Sequence, residues 1–464
     1  MPRLRSIEHA PDLRDKVVLV RVDHNCVKRG VVRDAHRVEQ SLPTLYHIVE
    51  RGGRPILLTH VNRPRDPSTG AIVVNEAEDG ARAIVDLLRQ RLGVTFAAPT
   101  FASEGGRGIR SVDTSINFLL DDLRARRIGG IYLPNSRWFE GEEAGAGTEA
   151  YEALSRQLAG LADVFVNDAF GSWQAHASTV GVTKYLPSYA GLLMQRELVA
   201  VRSVLNPIRP FVAVVAGSKV DTKLATLRAV ASRCDSLILG GVVYNAYLCA
   251  KYGIEIEGVS EKDVLLAHEL LAPEVQEKIV ELPVVVESTS LQGCGCVPRE
   301  GECGAPNTSM GSTRALRLDE LQRGASYGYV LDVAASSFED EKVKSTLQGA
   351  KTIFVNAVMG FTSSGFHEGT TALDTAIAAN KSARKYFGGG DTIQEFKSLT
   401  PALFMSTMLD PTFYLFTGGG TVLKALEMGG GEELDTVKCL LAGDDEKIEP
   451  REEPKCMRFA DCAC

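Results

Sequence analysis

The chain has 464 residues, is 44% hydrophobic and carries a formal net charge of −8. That balance gives no support to nucleic-acid binding, and no apolar run approaches the roughly 18 residues of a membrane-spanning helix. The length predicts two or three domains. Met1 to Asp12 is polar, with Arg3 and Arg5 and no apolar stretch, so it does not read as a signal peptide and a cytosolic or organelle-matrix protein is expected. The ten cysteines are then expected to be thiols.

In chain order, Lys16 to Asp23 is an apolar run ending in Asp and predicts a first parallel strand, with His24 to Val27 as its exit loop. Asp34-Ala35-His36-Arg37 opens a helix with Asp34 as its N-cap. Arg54 to His60 is a second strand, running into Val61-Asn62-Arg63-Pro64. Pro64 to Gly80 reads as a loop, and a helix follows from Ala81 to Leu92. Gly129 to Phe139 is another strand with its exit, and Ala162 to Val166 a further buried one, ended by Asn167, Asp168 and Gly171. Alternating strands and helices predict an α/β fold with a parallel sheet. Ligands then sit at the carboxyl ends of the strands. After Tyr185 to Ser188 breaks the chain, Gly191 to Val204 predicts a long helix.

The second half repeats the pattern. Phe211 to Ala216, Ser236 to Gly241, Leu282 to Val286 and Thr352 to Gly360 read as strands. Gly217-Ser218-Lys219 and Tyr386-Phe387-Gly388-Gly389-Gly390-Asp391-Thr392 are glycine-bearing turns between a strand and a helix, and Phe416 to Thr421 repeats the theme. Such turns bind anions, because free backbone N–H groups and the helix dipole both favour phosphate. Ser288 to Ser312 reads as an inserted loop; its Cys294, Cys296 and Cys303 lack a fourth close ligand, which favours a plain loop over a metal site. Gly443 to Lys455 is strongly charged and predicts a disordered tail.

Asn167-Asp168-Ala169-Phe170-Gly171 with Ala175-His176 resembles the phosphoglycerate kinase family, which writes Asn-Asp-Ala-Phe-Gly-Thr-Ala-His-Arg-Ala-His there. Arg21-Val22-Asp23 with Asn25, His60 with Arg63-Pro64, Arg137 with Gly141-Glu142-Glu143, and Gly388 to Thr392 resemble further family motifs, in the family's order from about Lys16 to Leu441. The resemblance implies two doubly wound, Rossmann-like α/β domains facing across a cleft. It implies residues 1–188 as an N-terminal domain for 3-phosphoglycerate and 189–206 as a hinge helix. It further implies 207–430 as a nucleotide-binding domain and 431–443 as a segment returning to the first domain, with 444–464 as the tail. Arg37 and Lys219 are then the catalytic cations, with Asp23, Asn25, His60, Arg63, Arg137 and His176 on the substrate. Gly217, Lys219, Lys223, Gly240, Asn356, Gly388, Gly389, Gly390, Asp391, Thr392, Gly418 and Gly419 are placed on ATP or ADP, and Asp391 on Mg²⁺. Arginine forks suit a ligand with a phosphate and a carboxylate.

Several positions depart from the family pattern. Gln174 lies in a segment one residue shorter than the family's and stands where an arginine is usual, Ser363 replaces a ribose-binding glutamate, Val242 a glycine, Pro134 a glutamate, and Ala357-Val358 a Gly-Pro. Two readings follow: a phosphoglycerate kinase of full or reduced activity, or a paralogue that kept the fold and serves as a binding or structural subunit with a protein partner.

Overall fold

The computed structural model describes residues 3–291 and 312–442, and the expectations for Cys294, Cys296, Cys303 and the charged tail lie outside them. The described residues fall into two compact units. Those up to Glu197, with those from Glu432, form one, and Leu198–Gly431 form the other.

The first unit is built on a six-stranded parallel sheet. Its strands are β1 (Val17–Val22), β2 (Arg54–Leu58), β3 (Phe96–Ala97), β4 (Gly130–Tyr132), β5 (Val164–Asp168) and β6 (Ser188–Ala190), in the spatial order β3-β4-β2-β1-β5-β6. Every residue of β1 is buried, because helices cover both faces. Alternate side chains enter two different cores. Val17 and Leu19 pack with Ile116 and Leu120 of α3 (Ile116–Arg124) and with Leu154 and Leu158 of α4 (Glu149–Ala159). Val18, Val20 and Val22 pack with Val38, Leu45 and Ile48 of α1 (Ala35–Glu50) and with Ile84 and Leu88 of α2 (Arg82–Leu92). Successive connections leave β1 and β5 in opposite directions, which opens a crevice at their carboxyl ends.

The second unit repeats this logic, with α6 (Leu224–Ala231) and α8 (Glu341–Gly349) among its helices. Strands β7 (Phe211–Gly217), β8 (Ser236–Gly240), β12 (Thr352–Asn356), β13 (Arg384–Phe387) and β14 (Phe413–Leu415) form a parallel sheet in the order β8-β7-β12-β13-β14. Its switch point lies between β7 and β12. The run around Leu282 to Val286 is a strand, but shifted to β9 (Val284–Ser288). It pairs antiparallel with β10 (Thr313–Arg317) and β11 (Tyr329–Val333) in a separate three-stranded sheet.

Two local expectations are corrected. Asp34 occupies the N-cap of α1, but its side chain makes no capping bond and instead faces Arg37 at 3.7 Å. The stretch from Pro64 to Gly80 holds a short helix, Glu76–Asp79, capped by the Asn75 side chain. A long helix, α5 (Leu192–Leu205), contains the passage from one unit to the other. No described helix is long and apolar enough to cross a membrane.

Candidate active site

The exits of β1, β2, β4 and β5 surround a polar cavity of about 480 Å³. Asn25, His60, Arg63, Arg137, Gln174 and His176 line it, with Asn62, Ser172 and Trp173. Five of the six expected substrate residues therefore share one cavity. Asp23 is not in its wall, nor is the catalytic candidate Arg37. These two form an ion pair at 3.4 Å just outside it. Asp23 and Asp34 hold the Arg37 guanidinium firmly charged and raise its pKa.

The cations are not equivalent. Arg63 is exposed and makes no ion pair among the described residues. Arg137 pairs with Glu143 at 2.8 Å and donates from Nη1 to the carbonyl of Asn62 at 2.5 Å. Arg65 also reaches Glu143, at 3.2 Å. His60 is almost fully buried, and Arg21 Nη2 lies 2.9 Å from its Nδ1. A guanidinium only donates, so Nδ1 accepts and the ring carries its proton on Nε2. Burial, and then Arg21, hold the His60 pKa well below its usual value, so the ring is neutral. His176 stands 3.9 Å from Glu143, and burial lowers its pKa as well.

Arg21 belongs to the Arg21-Val22-Asp23 motif, but the sequence gives it no role in the site. It is fully buried, donates from Nε to Ser178 Oγ at 3.0 Å, and Ser178 Oγ donates to Glu142 at 2.6 Å. Glu142 is also fully buried. Removing either charge leaves the other buried without compensation, which is costly. The available signal was a single arginine inside an otherwise apolar strand run.

In the second unit, the exits of β7, β12, β13 and β14 line a cavity of about 700 Å³. Three helices begin at its wall: α7 (Gly241–Tyr252), α10 (Gly390–Leu399) and α11 (Gly419–Met428). Their N-cap residues are Gly240, Gly389 and Gly418, and none has a side chain to cap the first N–H groups. Those donors remain for a ligand, and each helix dipole favours an anion. Two of these glycine turns touch. A Cβ on Gly419 would lie 2.4 Å from Gly389 Cα, and Gly389 itself has φ +122°. Neither position accepts a side chain.

Lys223 lines this cavity and donates to Asn356 Oδ1, while Asn356 Nδ2 donates to the carbonyl of Gly388. Burial lowers the Lys223 pKa, and Asp391 opposes that shift from nearby. Asp391 and Thr392 are also in the wall, as are Gly217, Gly390 and Gly419. Lys219 is exposed and lies outside the lining. Gly240, Gly388 and Gly418 are outside it too, and act behind the wall as helix caps or their neighbours. Val242 and Ser363 both line the cavity.

A sequence profile described as Phosphoglycerate kinase matches residues 7–429. The chain belongs to the phosphoglycerate kinase family. It is 30% identical over 449 residues to a phosphoglycerate kinase of Rhizobium johnstonii, covering 95% of this chain and 99% of that one. With a phosphoglycerate kinase of Rhodospirillum centenum it shares 32% over 441 residues, 92% of this chain and 96% of the other. Among solved structures, that of phosphoglycerate kinase from Coxiella burnetii superposes with a TM-score of 0.68 at 25% identity, covering 94% of this chain and 99% of that one. The phosphoglycerate kinase of Pyrococcus horikoshii gives a TM-score of 0.70 at 23% identity over 94% and 98%. Against this phosphoglycerate kinase background, the two cavities stand at the switch points of two parallel sheets, as expected for a two-domain α/β protein.

Proposed function

We propose that the chain catalyses reversible phosphoryl transfer between 1,3-bisphosphoglycerate with ADP and 3-phosphoglycerate with ATP. The observation that carries this reading is the pairing of chemistries within one family member. One cavity presents guanidinium forks and neutral imidazole, and the other presents three open helix starts with Lys223 and Asp391. The family assignment favours catalysis over a binding subunit.

In the first cavity, Arg63 and Arg137 bind the anionic ends of 3-phosphoglycerate, while Asn25 and the Nε2–H of His60 donate to its neutral oxygens. Arg21 keeps His60 uncharged and oriented. Arg37, held by Asp23, faces the carboxylate end and neutralises charge there. In the second cavity, the N–H groups of α10 and α11 and the Lys223 ammonium hold the nucleotide phosphates. Lys219, on the exposed turn after β7, accompanies the transferring group. No covalent enzyme intermediate is needed, because this chemistry rests on positioning and charge stabilisation.

Asp391 fits Mg²⁺: it is an exposed carboxylate in the first turn of α10, beside the phosphate-binding glycines, and a hard cation prefers such oxygen ligands together with phosphate oxygens and water. Bound there, the ion neutralises phosphate charge.

Steady-state kinetics of paired variants test the assignment. Arg137→Ala should raise KM for 3-phosphoglycerate, and Lys223→Ala should raise KM for MgATP, each by about tenfold to a hundredfold, as for a lost charge-assisted contact. Lys219→Ala should instead lower kcat by about 10²-fold or more. If Arg137→Ala and Lys223→Ala each disturb both substrates equally, the division of the two sites is wrong.

A further inference from the structure

Helix α9 (Glu368–Ala379) follows the loop that leaves β12, and its N-cap residue, His367, supplies no side-chain capping bond. The cap comes from another strand. Asp332, on β11, accepts from the N–H of Gly369 through Oδ2 at 3.2 Å and from the N–H of Val333 through Oδ1 at 2.8 Å. A carboxylate at a helix start also meets the positive end of its dipole. Asp332 is 4% exposed and is not in the cavity wall.

Two glycines close on this carboxylate. A Cβ on Gly360 or on Gly369 would lie 2.5 Å from Asp332 Oδ1. Gly360 belongs to the run Ala357 to Ser363, which walls the second cavity. That wall has two further ties near the same point. Phe361 N donates to Leu331 O at 2.7 Å, and Met359 N donates to Thr370 Oγ1 at 3.0 Å. One buried carboxylate thus meets the strand, the wall and the helix start together.

We propose that Asp332 is a positioning residue for the nucleotide cavity: its carboxylate fixes Gly360 against the start of α9 and thereby sets the wall from Ala357 to Ser363. This rests on reading that cavity as the nucleotide site. Asp332 touches no reacting atom. Its loss therefore weakens nucleotide binding without removing a catalytic group. Asparagine keeps the shape and one acceptor, but it gives up the charge and turns its NH2 toward the N–H of either Gly369 or Val333.

The test uses the full-length protein with Asp332→Ala and Asp332→Asn. Calorimetry with MgADP should show Kd raised about tenfold or more in Asp332→Ala and by a smaller factor in Asp332→Asn. KM for MgATP should follow, with kcat and KM for 3-phosphoglycerate within about twofold of the parent protein. Hydrogen exchange in the ligand-free protein should rise for residues 357–366 in Asp332→Asn, an arm independent of any nucleotide. If Asp332→Ala does not fold, Asp332→Asn carries both arms. Unchanged exchange and unchanged MgADP affinity would overturn the proposal, as would an equal loss in kcat and in both KM values. A parent protein that binds no MgADP, with exchange still raised in the variant, would instead sink the nucleotide reading and leave the clamp in place.

Discussion

Asp374 on α9 shows what a single buried group contributes. It is 4% exposed, its Oδ2 meets no hydrogen-bond donor among the described residues, and burial alone pushes its pKa up to about 8 from the ordinary 3.8. The folded state therefore keeps a proton that the unfolded chain has released. This group's contribution to stability is fully present below pH of about 4 and is lost as pH rises through about 8. Asp374→Asn removes the titration. The melting temperature of the variant, relative to the parent, should rise from pH 5 to about pH 8 and level off above it; a difference that does not change with pH would contradict the assignment. Residues of this kind were not legible in the sequence. Asp374, Asp332 and Arg21 carry ordinary surface-type side chains; the apolar runs around Arg21 and Asp332 hint at enclosure, but nothing in the sequence names the partners that would hold them. The motif residues His60, Arg63, Arg137, Lys223 and Asp391 were legible because the turns that carry them resemble the family's motifs. Arg37 was legible as a position, while its engagement with Asp23 and Asp34 came only from the structure.

At the scale of elements, α5 illustrates how one motif residue serves a helix. Asp168, the last residue of β5, accepts through Oδ1 from the N–H groups of Leu193 at 2.9 Å and Met194 at 3.2 Å. Thr44 Oγ1 accepts from Leu192 N at 2.9 Å. Gly191 leaves room for this cap, since a Cβ there would lie 2.1 Å from Asp168 Oδ1. The sequence marks Asn167-Asp168 as a strand end near a ligand loop; the structure shows Asp168 facing the start of the next long helix instead. Asp168→Ala should cost about 1–2 kcal/mol of stability, or more given full burial. Chemical denaturation of the first unit's transition measures it, and an unchanged midpoint would contradict the capping role. Apolar strands such as β1 and β7 were readable because burial on both faces makes them continuous runs. The antiparallel sheet was not. Only one residue of β10 is buried, so its pattern gives no core signal, and β9 lies two residues further along than the apolar run suggests.

On the scale of the whole molecule, the doubly wound architecture follows from two repeats of one grammar, strand, polar exit, amphipathic helix, and residues 7–429 carry the phosphoglycerate kinase family's sequence pattern. What the repeats could not give is the division of labour inside each cavity. Neutral His60, paired Arg137 and available Arg63 look alike in sequence and differ only through their neighbours. Substitutions at Gln174, Val242 and Ser363 leave the cavities lined but change what lines them. On the proposed roles of Lys219, Arg37 and Asp391 in charge stabilisation, which this chain retains, these changes should act on substrate affinity. The most direct measurement is ³¹P NMR of the purified full-length protein with 3-phosphoglycerate, MgATP and hydroxylamine to trap the acyl phosphate. Steady conversion of ATP to ADP that requires both 3-phosphoglycerate and active protein is the predicted result. Binding of both ligands at millimolar concentrations with no transfer above the uncatalysed background would contradict it.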